Sequence, residues 1–254
     1  MSVRGELDLA SSIRLGAVLG DLIDGQGNLA IDIDLRQVTT VDPAALGVIE
    51  VANGLVGRRG GKVAVKGLRG RVALDRTATA PGQSGSHLVE FYENERSLTR
   101  SVREYLEPAL QGDETAVIVA TREHRGLFEA ALIEAGIDLD GARQTGRYVG
   151  VDAEALLSRF IVDGTPNAAR FHSSVGHLIA DAAQTGRSVR VYGEMVAVLW
   201  VEGNVAAALA LEELWNELAA SRSFSLLCAY PTTAFAPAET NGLFRAICEQ
   251  HTSA

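Results

Sequence analysis

Five consecutive apolar residues, Ala116-Val117-Ile118-Val119-Ala120, constrain the fold more than any other feature of the chain. A strand-length run with no polar interruption has no wet face, so it belongs to a strand covered on both sides. The surrounding patterns repeat that theme. Helical spacing occurs over Leu98–Leu110, Gly126–Ala135, Ala153–Val162 (opened by Asp152 as cap), Phe171–Thr185 and Val205–Ser221. Short apolar strands are expected at Arg147–Val151, Val189–Tyr192 and Ser225–Tyr230. Alternation of such strands and helices predicts an α/β fold, with a mainly parallel sheet and helices on both faces.

A second, smaller pattern precedes this one. Leu15–Ile23 has helical spacing, with Ser11 or Ser12 as a candidate cap. Leu29–Leu35 alternates apolar residues with Asp32 and Asp34, as in a strand with one wet face. Ala44–Leu55 is helical, opened by Asp42 and Pro43, and Lys62–Lys66 alternates as a strand. Between the two patterns lies Thr77-Ala-Thr-Ala-Pro-Gly-Gln-Ser-Gly-Ser86, composed of small and turn-forming residues that build no core. The boundaries are therefore residues 1–76, a linker over 77–86, and residues 87–254.

The first segment resembles a STAS domain of the anti-sigma-factor antagonist type. The resemblance rests on Gly5-Glu6-Leu7-Asp8, Ile31-Asp32-Ile33-Asp34-Leu35 and Val41-Asp42-Pro43-Ala44-Ala45-Leu46-Gly47-Val48. It implies a small β/α domain that binds a protein partner, an anti-sigma factor or a histidine kinase, around Asp42, Ala44, Leu46 and Gly47. The family places a phosphorylatable Ser or Thr where this chain has Ala44, which has no hydroxyl to modify. The segment also lacks the family's first strand and most of its last helix. It is read either as a permanently unphosphorylated binder or as a structural remnant.

Residues 87–251 resemble the MEDS sensory domain. The matching residues are Phe91-Tyr92-Glu93, Thr121-Arg122-Glu123-His124, Asp163-Gly164, Gly193-Glu194-Met195, Gly203-Asn204, Leu211-Glu212 with Asn216, and Leu227-Cys228-Ala229-Tyr230-Pro231. The resemblance implies a RecA/KaiC-like fold and the sensing of a small organic molecule. With the STAS-like segment it implies a bacterial signalling or regulatory protein.

That ancestry would bring a phosphate-binding loop, which needs Gly-x-x-x-x-Gly-Lys-Ser/Thr after a strand. After Ala120 the chain instead reads Thr121-Arg122-Glu123-His124-Arg125-Gly126, with no lysine and a carboxylate at Glu123. The expectation is a binding protein and not an enzyme, with no cofactor and no catalytic residues. Ligands of open α/β sheets sit at the carboxyl ends of the strands. Arg122, His124, Glu194 and Tyr230 are the candidate contacts there, with Phe91 and Tyr92 as apolar lining. Two further readings stay open: a scaffold that makes only protein contacts, and a divergent nucleotide-dependent enzyme.

No metal is expected. His172 and His177 stand five apart, about 140° round a helix, and Cys228 and Cys248 fall in no ligand-spacing motif and read as buried thiols. The net charge of −9 argues against bulk nucleic-acid binding, although the arginines from Arg58 to Arg76 form a locally basic stretch. No apolar run is long enough to cross a bilayer and no signal-peptide core opens the chain, so a cytoplasmic location without membrane contact is expected. The oligomeric state has no signature in the sequence.

Overall fold

The computed structural model describes residues 1–7, 9–41, 43–67, 86–92, 94–184, 186–235, 247 and 251. They fall into two compact units. The first holds the described residues of Met1–Thr79, Leu88–Glu93 and Tyr230–Ser253, and the second those of Ala80–His87 and Asn94–Ala229. Residues 77–85 of the expected linker, and Asp42, lie outside the described residues.

In the first unit β1 (Ser2–Leu7), β2 (Ala30–Val41) and β3 (Lys62–Lys66) form a three-stranded sheet in the order β1-β2-β3, parallel throughout. Helices α1 (Leu9–Gly20, continued by a π turn at Asp21–Gly25) and α2 (Pro43–Gly57) pack on each other and against the sheet. Alternation explains the sheet's two faces. Ile31, Ile33 and Leu35 are buried, while Asp32 and Asp34 point away and pair with Lys66 at 2.8 Å and Arg36 at 2.6 Å. Helix α1 begins at Leu9, so Ser11 and Ser12 are not its caps; Ser12 is buried in its first half. Strand β2 runs six residues beyond the expected Leu35, because its later part pairs with β1.

The second unit is built on a five-stranded, mainly parallel sheet. Its strands are β4 (His87–Tyr92) and β10 (Phe224–Pro231), which both cross the unit boundary, with β5 (Thr115–Ala120), β6 (Tyr148–Asp152) and β9 (Val189–Gly193), ordered β4-β10-β9-β5-β6. The register sets Ile118 beside Tyr192 and Gly150, and Cys228 beside Gly193. Every residue of β5 and β9 is buried, as a strand covered on both faces requires. The covering helices are α3 (Glu95–Gln111), α4 (Arg122–Glu134), α5 (Leu139–Gln144), α6 (Ala153–Phe160), α7 (Ala168–Phe171), α8 (His177–Ala183), α9 (Met195–Val201) and α10 (Val205–Ser221).

Several boundaries differ from the sequence reading, each for a local reason. Helix α4 starts at Arg122 and not Gly126, because the Thr121 side chain caps it. Helix α6 stops at Phe160. Asp163 and Gly164 take positive φ, 50° and 76°, and turn a short hairpin between β7 (Ile161–Val162) and β8 (Thr165–Pro166). Asn204 caps α10 and donates to the Gly164 carbonyl at 2.6 Å, tying that hairpin down. The expected helix over Phe171–Thr185 starts at Ala168 and continues to Ala183, passing through a π turn at His172–Gly176.

The amino end of this sheet is locked by a buried cation. Arg190 on β9 is 1% exposed, forks onto Glu114 at 2.9 and 3.0 Å, donates to the Tyr105 carbonyl, and stacks over the Tyr105 ring. These contacts tie the start of β9 to α3 and to Glu114 just before β5.

Candidate functional site at the carboxyl end of the sheet

Central strands β5 and β9 end side by side, and the polar residues just beyond them meet. The Glu194 backbone N–H donates to the Val119 carbonyl at 2.8 Å, which seats Glu194 beside the β5–α4 junction. Its buried carboxylate then faces the first turn of α4. Oε2 accepts from the Thr121 backbone N–H at 2.8 Å and from the Thr121 hydroxyl at 3.3 Å. Oε1 bonds His124 Nδ1. Thr121 also accepts from the His124 N–H, so one residue caps the helix and orients the carboxylate.

This arrangement fixes the imidazole. With Nδ1–H engaged by Glu194, Nε2 of the neutral ring is the acceptor, and protonation turns it into a donor. The hydrogen bond the ring donates to Glu194 raises the His124 pKa above its ordinary value, against the opposing effect of burial. The ring lies 5.7 Å from that of Phe128, which meets Tyr192 edge-on at 5.2 Å. A polar group that changes hydrogen-bonding sense thus stands on an apolar floor, with 17% of its side chain still exposed.

The six candidate contacts divide between the two units. His124 and Glu194 are bonded. Arg122 is exposed on the first turn of α4 and joins none of the bonds described above. Phe91 and Tyr230 belong to the first unit, where both are buried and their rings stack at 6.4 Å; Tyr92, in the same unit, is half-buried. Thr121 and Phe128 are members that sequence reasoning missed. Thr121 comes directly after a strand and precedes a polar turn, and Phe128 is one helical turn beyond His124, so both signals were present in the spacing. A shallow surface hollow of about 570 Å³ lies between α3 and α4, with Arg96, Arg100, Leu127 and Glu134 among its lining.

Of the residues expected to bind a partner, Ala44 and Leu46 lie in α2 of the first unit, and Gly47 is buried. A β-carbon on Gly47 would fall 2.2 Å from the Phe91 carbonyl oxygen, so glycine is required there for close backbone packing within that unit.

A second polar cluster in the second unit is sealed. His87 Nδ1 meets Asn216 Oδ1 at 2.8 Å, and His87 Nε2 lies 3.3 Å from both Cys228 Sγ and Glu212 Oε2. Cys228 Sγ is 3.7 Å from the same carboxylate oxygen. The side chains of His87 and Glu212 are at most 1% exposed, and burial pushes the Cys228 thiol well above the usual thiol range, reinforced by Glu212. Cys228 is a buried free thiol; Cys248 lies outside the described residues.

The second unit is thus an α/β domain with polar groups converging where its central strands end. Residues 86–246, more than half of the chain, match the family model of MEDS, the methanogen/methylotroph, DcmR sensory domain, and the chain belongs to that family. The family is a sensory one, which accords with a sensing or signalling role. No curated protein and no solved structure gives a significant match. Among the described residues, no helix is long and apolar enough to cross a membrane.

Proposed function

We propose that the chain is a non-enzymatic sensor whose MEDS unit holds a small organic ligand against His124, at the carboxyl ends of β5 and β9. The observation that carries the reading is the Thr121–Glu194–His124 arrangement. It leaves one imidazole nitrogen partly exposed above Phe128 while its other nitrogen is committed to a buried carboxylate. Small-ligand sites combine apolar walls with a few placed polar groups, and this constellation has both. Arg122, exposed beside it, suits a ligand with anionic character. Glu194 positions His124, and the site is drawn from the second unit alone.

The reading as a binding domain rests on Thr121–Gly126, where a RecA/KaiC-like ancestor would carry Gly-Lys-Ser/Thr. Strand-by-strand parallel pairing of β10, β9, β5 and β6 agrees with that ancestry. The first unit is read as a STAS-type module that binds an anti-sigma factor or a histidine kinase near the start of α2. Ala44 removes the phosphorylation switch.

A thermal-shift screen of small organic compounds, followed by calorimetry, tests the ligand site. At least one compound class is expected to raise the melting temperature of the wild-type protein, with affinity reduced in His124→Ala. Unchanged affinity in His124→Ala would place the ligand elsewhere. Failure of every class to stabilise the protein would favour a scaffold that makes only protein contacts. On the other unit, incubation with a serine kinase of the anti-sigma type should leave residues 36–56 unmodified. Phosphate at Thr39 or Thr40 in peptide mapping would contradict that expectation.

A further inference from the structure

The sealed cluster of the second unit has the donor set and spacing of a metal centre. Three ligand-type atoms, an imidazole nitrogen, a sulfur and a carboxylate oxygen, converge from β4, β10 and α10. Their mutual separations are 3.3, 3.3 and 3.7 Å. Zinc binds nitrogen and oxygen at about 2.0–2.2 Å and sulfur at about 2.3 Å in a tetrahedron. The edges of such a tetrahedron are about 3.3–3.6 Å, the size of the triangle observed. We propose that His87 Nε2, Cys228 Sγ and Glu212 Oε2 bind a divalent transition-metal ion of the zinc class.

Two further features favour an ion over a plain hydrogen-bond cluster. Asn216 Oδ1 accepts a hydrogen bond from His87 Nδ1–H, which leaves the Nε2 lone pair facing the sulfur and the carboxylate. An imidazole held through its other nitrogen by an oxygen acceptor is the usual second contact of a metal-binding histidine. Charge gives the other argument. A buried carboxylate and a buried thiolate are each costly alone, and a dication between them cancels both. The donor set selects the metal: thiolate and imidazole favour zinc-like ions over magnesium or calcium, which take oxygen ligands.

The test uses the full chain, stripped of metal with a chelator and titrated with Zn²⁺ against a chromogenic competitor, then with Co²⁺ as a spectroscopic probe. Stoichiometric Zn²⁺ binding and a thiolate-to-cobalt charge-transfer band are expected. Because the chain has only two cysteines, the band assigns its own ligand. It should vanish in Cys228→Ala and persist in Cys248→Ala. Asn216→Leu, which keeps all three ligands, should weaken Zn²⁺ about 10- to 100-fold. Absence of stoichiometric binding by the folded wild-type protein would overturn the proposal. So would a charge-transfer band that survives Cys228→Ala, or that is lost in Cys248→Ala instead. These readouts need only the wild type and Cys248→Ala to be folded, so a destabilised Cys228→Ala does not blunt them.

Discussion

Two histidine–glutamate pairs in the same unit make opposite uses of the same chemistry. His124–Glu194 sits where β5 and β9 end, with 17% of the histidine side chain exposed and one ring nitrogen uncommitted to Glu194. His87–Glu212 is closed off at 1% and 0%, with Asn216 and Cys228 beside it. Solvent access decides what each pair can do. An exposed imidazole changes protonation and partners on contact with solution, whereas a sealed one is committed to whatever the fold places beside it. The open pair suits a ligand that comes and goes; the closed pair suits a permanent structural partner.

Stability measurements should separate the pairs most strongly. Removing a fully buried side chain takes a hydrogen-bond partner from its neighbours and leaves a cavity, so His87→Ala should cost about 3–5 kcal/mol. His124→Ala removes a single charge-assisted bond near solvent and should cost about 1.5 kcal/mol. Urea unfolding of both variants checks this, and equal losses would erase the distinction.

A smaller effect is expected with pH. Glu194 raises the His124 pKa above 6.5, so the pair's contribution to stability is complete below that pH and is lost as pH rises through the raised value. NMR titration should show the His124 midpoint falling in Glu194→Gln. A midpoint that stays put would mean that Glu194 does not set it. The smallest effect belongs to Arg122→Ala, which should change stability by less than about 0.5 kcal/mol because the residue is an exposed surface cation. A larger loss in urea unfolding would reveal a structural role.

Sequence pattern reached the sheet more readily than the sites. Ala116–Ala120 and Ser225–Tyr230 are legible because strands buried on both faces carry no polar interruptions. Helix α10 is legible because it is long, with leucines on its buried face. The first turn of α4 is polar, so apolar periodicity finds that helix four residues late. Helix α9, Met195–Val201, is apolar almost all round and has no period to detect. The hairpin at Asp163-Gly164 carried a turn signal, but its first strand, Ile161–Val162, continues an apolar run that also fits a helix. For His124 and Glu194, the rule that ligands sit at the carboxyl ends of strands brings together residues 70 apart. The sealed cluster had no such guide. His87 and Cys228 are 141 residues apart and come from different strands, so no local spacing betrays them.

The contrast between the open and the sealed pair is tested most directly by following both histidine rings at once. The probe is the compound that most raises the melting temperature in the small-molecule screen, added to protein with nitrogen-labelled histidine. The ring nitrogens of His124 should shift with ligand concentration and saturate, while those of His87 stay fixed. A compound that binds and saturates without moving His124, or that moves His87 instead, would contradict the assignment of the sensing site.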